Sequence, residues 1–262
     1  MKILNDNAPE HLVKKLAQLD IHSFIMDVIQ PLEIKYYELL CPLQLMRSRN
    51  NFRKLPIWKF EEACYENVAV LLHTIPIFLR KKKDDEKDKD LLGAYYSGKK
   101  GNSPYIKLYL TDIYDASKKD DKYFKWLFTK VLIHELAHAA LDIFNWEHND
   151  IKREKVTYRS MYGKWREESM ANAIALRIIR DSNKKDFYNY AKEFMSKSQP
   201  AEYALGVLME NFGYWDFKSV FDSKIYGVKP ALRNQWLKYV NNNPDWKGLH
   251  DWNNKILENL VK

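Results

Sequence analysis

The stretch that decides the fold reads Val131-Leu-Ile-His134-Glu135-Leu-Ala-His138-Ala-Ala-Leu-Asp142-Ile-Phe144. Its only charged residues are Glu135 and Asp142, and apolar side chains fall on every side of a helical projection, the pattern of a helix buried all round. Two histidines four residues apart share one helix face, so His134 and His138 can reach a single metal ion. Glu135 lies about 100° round the helix from His134. From there it can reach a water on the metal, the position of a general base. Burying two imidazoles and a carboxylate without partners costs roughly 1–3 kcal/mol for each polar group, and a bound metal removes that cost. The expectation is one Zn²⁺ per chain. The plainer alternative is a core helix with two hydrogen-bonded histidines and a salt-bridged glutamate.

The rest of the chain is consistent with a soluble protein. Its 262 residues are 46% apolar and 14% aromatic, enough to bury a large core as one compact unit. No stretch approaches 18 uninterrupted apolar residues, and the first ten residues contain no apolar leader segment, so neither a membrane span nor secretion is expected. Cys41 and Cys64 are far apart and form no metal-binding or redox pair, which fits reduced thiols and a cytoplasmic location. The net charge of +8 could point to nucleic acid. Its distribution argues against that, because the densest run, Arg80 to Asp90, holds six basic and five acidic residues and nearly cancels. A mixed-sign run without apolar period is a solvated loop, and a nucleic-acid partner is not expected.

Three regions follow from the punctuation. Residues 1–60 read as a helical accessory region, with a helix start near Asn7, Pro9 in its first turn, and Pro31, Pro42 and Pro56 dividing apolar segments into short elements. Residues 61–182 carry the catalytic core. Across its start, Trp58 to Leu79 is helical at first and strand-like at its end, Pro76 separating the two. Leu91–Ser97 and Tyr105–Thr111 read as a strand pair joined by a turn at Gly98, Gly101 and Pro104. Asp120 or Asp121 then opens the long helix. Residues 183–262 read as a helical lobe packed on the core, with helices at Asp186–Lys197, Glu202–Phe212 and Lys229–Val240.

A third ligand is sought on the helix Trp165–Arg180. Arg166, Ser169, Ala173, Arg177 and Arg180 cluster on one side, read as the wet face, and Glu168 falls almost opposite, beside Ala171, Ala175 and Ile179. A carboxylate on an apolar face needs a partner, and the metal supplies one.

His134-Glu-Leu-Ala-His138 followed by Glu168-Ser-Met-Ala-Asn172 resembles the HExxH plus ExxxD/N signature of gluzincin-type zinc metallopeptidases, and the first motif with its flank is similar to the helix of thermolysin-like enzymes. ImmA/IrrE-type cytosolic peptidases have a similar ExxAN helix, although they usually carry Gly where this chain has Ala137. The resemblance implies Glu168 as the third zinc ligand and Asn172 as the residue that steadies a ligand histidine. It also implies an α+β, predominantly helical, zincin-like fold with a small antiparallel or mixed sheet over the active-site helix. A strand ahead of that helix is where a zincin offers a sheet edge to an extended peptide; the strand 105–111 could serve so, or be a plain core strand.

Tyr158, Tyr162 and His148 are candidate oxyanion stabilisers, and His148 is also a candidate ligand, although packing accounts equally for any one tyrosine among 17. Asp142 could stand behind the ligands or pair with a lysine. The expected function is hydrolysis of peptide bonds in a protein or peptide substrate, with Glu135 as general base. The alternative is a catalytically inactive, zinc-stabilised binding or regulatory protein.

Overall fold

The computed structural model describes residues 1–38, 68–81, 91–97, 103–147, 161–198 and 206–207, and only the backbone course of 32–38, 143–147 and 161–167. The protein is α+β and mostly helical, with one small mixed sheet. In chain order the elements are β1 (Lys2–Asn5), α1 (Glu10–Gln18), α2 (Ile21–Glu38), a helical stretch at 68–74, β2 (Pro76–Arg80), β3 (Gly93–Tyr96), β4 (Tyr105–Tyr109), α3 (Leu110–Ala116), α4 (Asp121–Glu147), α5 (Met161–Asp181) and α6 (Lys185–Lys197). No helix among the described residues is long and apolar enough to cross a membrane.

Four strands pair in the order β1-β2-β4-β3, the first three parallel and β3 antiparallel to β4. Alternation sets the buried face. Ile77 and Leu79 of β2 pair with Ile106 and Leu108 of β4, and all four are buried. The opposite face carries Phe78, Tyr96, Tyr105 and Lys107, with the Tyr96 and Tyr105 rings stacked at 4.7 Å and the Lys107 ammonium 4.5 Å from the Tyr96 ring centre. The antiparallel pair expected at 91–97 and 105–111 is present, and its turn at 98–102 lies outside the described residues. Its second strand is shorter than expected. The chain turns helical at Leu110, so Thr111 belongs to α3.

Two departures lie in the first forty residues. β1 was not legible as a strand, yet it forms the parallel edge beside β2, anchored by the Asp6 N–H donating to the Leu79 carbonyl at 2.8 Å and by the Arg80–Asp6 ion pair. Pro31 does not end a segment. α2 runs through it from Ile21 to Glu38, because Ile25, Val28 and Ile29 are buried in the core and that packing outweighs the roughly 3 kcal/mol an internal proline costs a helix.

α4 is the axis of the molecule. Every side chain from Trp126 to Leu141 is buried, since β3 and β4 cover one flank while α2, α3, α5 and α6 cover the others. α6, expected from Asp186 and found from Lys185, docks through an aromatic cluster in which Phe187 meets Phe24 at 5.5 Å and Trp126 at 5.9 Å, and Tyr190 stacks on Tyr123 at 5.0 Å. The expected elements beyond residue 198, apart from a helical step at 206–207, lie outside the described residues.

Candidate metal centre

α4 presents His134 and His138 from one face, their rings perpendicular with centroids 4.6 Å apart. α5 packs directly on α4 and brings Glu168 to the same point. The Nε2 atoms of the two histidines stand 3.1 Å apart, and each lies 3.2 Å from Glu168 Oε2. All three residues are buried, and this is the group of potential ligands found among the described residues.

Hydrogen bonding alone does not satisfy this triangle. An imidazole nitrogen either carries a proton or offers a lone pair. If both Nε2 atoms donate to Glu168, two N–H groups face each other at 3.1 Å; if only one donates, the other nitrogen's lone pair meets the carboxylate. A cation at the centre accepts all three lone pairs at once.

The electrostatics lean the same way. Burial lowers His134 to about 3, against the opposing pull of its hydrogen bond to Glu168, so its ring is neutral at physiological pH, as a metal ligand must be. Burial alone would raise the Glu168 carboxyl, but the adjacent His138 and His134 outweigh it and hold it well below the usual carboxylate range.

Glu135 stands beside the triangle and not in it. Burial pushes its carboxyl up to about 7; His138 opposes that shift, the Glu168 charge reinforces it, and Lys130 and a hydrogen bond from the Tyr95 backbone oppose it. A carboxyl held near neutrality is suited to both take and return a proton. The roof over it is β3. A Cβ on Gly93 would lie 2.7 Å from Val131 Cγ1 and 3.1 Å from Glu135 Cγ, so only glycine lets the strand approach this closely.

The helical wheel found Glu168 by a partly mistaken route. The face of α5 read as wet is not wet at Ser169 and Ala173, both fully buried. Gly206 covers them, where a Cβ would come within 2.7 Å of the Ser169 carbonyl oxygen and 3.1 Å of Ala173 N. From Glu168 to Leu176 the helix is therefore buried all round, and of the described residues on the face read as wet, Arg177 and Arg180 keep contact with solvent. Asn172, one turn beyond Glu168, is fully buried, its Cβ against Gly206.

The remaining candidates separate cleanly. Tyr158 and His148 lie outside the described residues, and of Tyr162 only the backbone, in the first turn of α5, is described. Asp142 accepts a hydrogen bond from the Tyr95 hydroxyl at 2.9 Å, a contact that neither sequence alternative named. Lys130 was missed. It is 1% exposed on α4, one turn before His134, with its ammonium 5.7 Å from the Phe194 ring centre. Burial lowers it to about 7, while Glu135 and Glu168 pull it back up. The available signal was a lone lysine at the head of the apolar run, one residue outside the stretch that drew attention.

Comparison with protein-family models, with curated proteins and with solved structures found no match for this chain.

Proposed function

We propose that the chain is a zinc metallopeptidase of gluzincin type, with His134, His138 and Glu168 as ligands and Glu135 as general base. The observation that carries this reading is the triangle of ligand atoms with edges of 3.1–3.2 Å. Ligands about 2.0–2.1 Å from a tetrahedral zinc lie about 3.3 Å from one another, so the side chains need almost no rearrangement to hold one. Three protein ligands with a separate carboxylate alongside is the donor set of a catalytic site, whereas a structural site closes its fourth position. When bound, the ion supplies an acidified water and polarises a carbonyl. Glu135 takes the proton of the attacking water and returns it to the leaving amine. An extended peptide adds to the outer edge of β3, the strand at the end of the sheet order. β3, not β4, fills that role, because β4 is flanked on both sides.

Cleavage of a fluorescein-labelled casein by zinc-loaded wild type and Glu135→Gln tests the assignment. Wild type is expected to cleave, and the variant to lose about 10²–10⁴-fold in kcat while keeping its zinc. Equal rates would overturn the general-base role. A wild type that holds zinc and cleaves nothing would favour the zinc-stabilised binding protein.

A further inference from the structure

Tyr95 touches α4 twice, and the two contacts sit far apart along the helix. Its backbone hydrogen-bonds the Glu135 carboxylate, and its hydroxyl donates to Asp142 Oδ2 at 2.9 Å. Asp142 follows Glu135 by seven residues, two helical turns on the same face. Two residues before Tyr95, Gly93 presses on Val131 and Glu135 with no room for a Cβ. Gly93 and Tyr95 share the strand face turned to α4, since they pair with the buried Leu108 and Ile106. β3 is thus held to the site helix at Val131, Glu135 and Asp142.

A four-residue edge strand, paired on one side only, has little stability of its own and opens easily. A hydrogen bond between a phenol and an ionised carboxylate is among the stronger ones available to it. We propose that Tyr95 and Asp142 form a latch that fixes β3 in height and register over Glu135. The latch sets the level at which a peptide strand added to β3 presents its scissile carbonyl to the base and to the His134–His138–Glu168 group. Both are positioning residues, acting through the strand. Misplacement of about 1 Å can cost on the order of 10²-fold in rate, so the latch acts on kcat more than on KM. The proposal rests on the metallopeptidase reading for its catalytic consequence and on the Tyr95 contacts alone for its structural one.

Both consequences are measurable on the full chain. With zinc-loaded protein and fluorescein-casein as probe, Tyr95→Phe and Asp142→Leu are each expected to lose about 10–100-fold in kcat at wild-type zinc content. Asp142→Asn, which keeps an acceptor oxygen, is expected to recover most of that loss, and the double variant Tyr95→Phe/Asp142→Leu to be no worse than the poorer single. Activity within twofold of wild type in both single variants, or losses that multiply in the double, overturns the proposal. Should Asp142→Leu fold poorly, Tyr95→Phe and Asp142→Asn carry the comparison. Amide hydrogen exchange of metal-free protein reads the latch without activity: the backbone amide at position 95 is expected to exchange about tenfold faster in Tyr95→Phe than in wild type, and unchanged exchange overturns the latch. A wild type that cleaves nothing, with the exchange effect intact, condemns the peptidase reading and leaves the latch standing.

Discussion

A carboxyl buried as Glu135 is supports the fold only while it carries its proton. Its folded value of about 7 lies above the 4.5 of an ordinary glutamate. Between those values the folded state holds a proton that the unfolded chain has released, so stability falls as pH rises from 4.5 to 7 and stays reduced above. In metal-free protein the loss is on the order of 3 kcal/mol at pH 8. Glu135→Gln removes it. The variant is expected to melt higher than wild type at pH 8 and close to it at pH 4.5, a pattern that calorimetry at the two pH values checks; equal melting at both would show that the carboxyl carries no such cost. At this scale the sequence was informative where spacing carries chemistry. His134, Glu135 and His138 are set by the helical repeat alone, and the structure gathers both histidines with Glu168. Lys130 was missed because a lone lysine at the head of an apolar run reads equally as one whose stem carries its ammonium out to solvent. Ser169 and Ala173 were misplaced because a helical wheel assumes one wet side, and Gly206 covers that side.

Among the elements, two contacts without room for a methyl group hold the layers of the site together. Gly93→Ala drives a Cβ into Val131 and Glu135, and β3 must lift from α4. A destabilisation of about 1–3 kcal/mol is expected, with a larger relative loss of peptide cleavage than of zinc, since the proposed ligands lie on α4 and α5 and not on the strand. Gly206→Ala meets backbone, the Ser169 carbonyl and Ala173 N, which cannot rotate away. It is expected to cost at least as much, and to weaken zinc retention because α5 carries Glu168. Chemical denaturation and metal content of both variants check this; the reverse pattern, with zinc lost in Gly93→Ala and kept in Gly206→Ala, would contradict the layer assignment. Elements with a strong pattern of their own, the all-round apolar run of α4, the amphipathic period of α6 and the β3–β4 pair, were legible close to their ends. β1 was not, for Lys2–Asn5 is too short to show alternation and is a strand only because β2 offers it an edge. Nor was the continuity of α2 through Pro31, which tertiary burial of Ile25, Val28 and Ile29 maintains.

Over the whole molecule, the histidines belong to α4 and the glutamate to α5, so an ion held by all three cross-links the two longest described helices. Binding to the folded state alone adds stability by mass action, about 4 kcal/mol at a thousandfold excess over Kd. Chelation is therefore expected to lower Tm, and readdition of zinc to restore it. The aromatic contact of α6 is independent of the ion. Phe187→Ala is expected to cost about 3–5 kcal/mol with or without zinc, and a cost that vanished on zinc loading would show that α6 is not part of the same cooperative core. The α+β, mostly helical character was legible in the helices and the strand pair read along the chain. The sheet order was not, because the strands that neighbour one another are brought together by pairing that no local pattern encodes.

The central claim is that His134, His138 and Glu168 hold one metal ion, and counting zinc per chain tests it most directly. Wild type and Glu168→Ala, loaded and dialysed identically, should differ sharply: one zinc per chain in wild type and almost none in the variant. A wild type without zinc, or a variant that holds as much as wild type, would contradict the account.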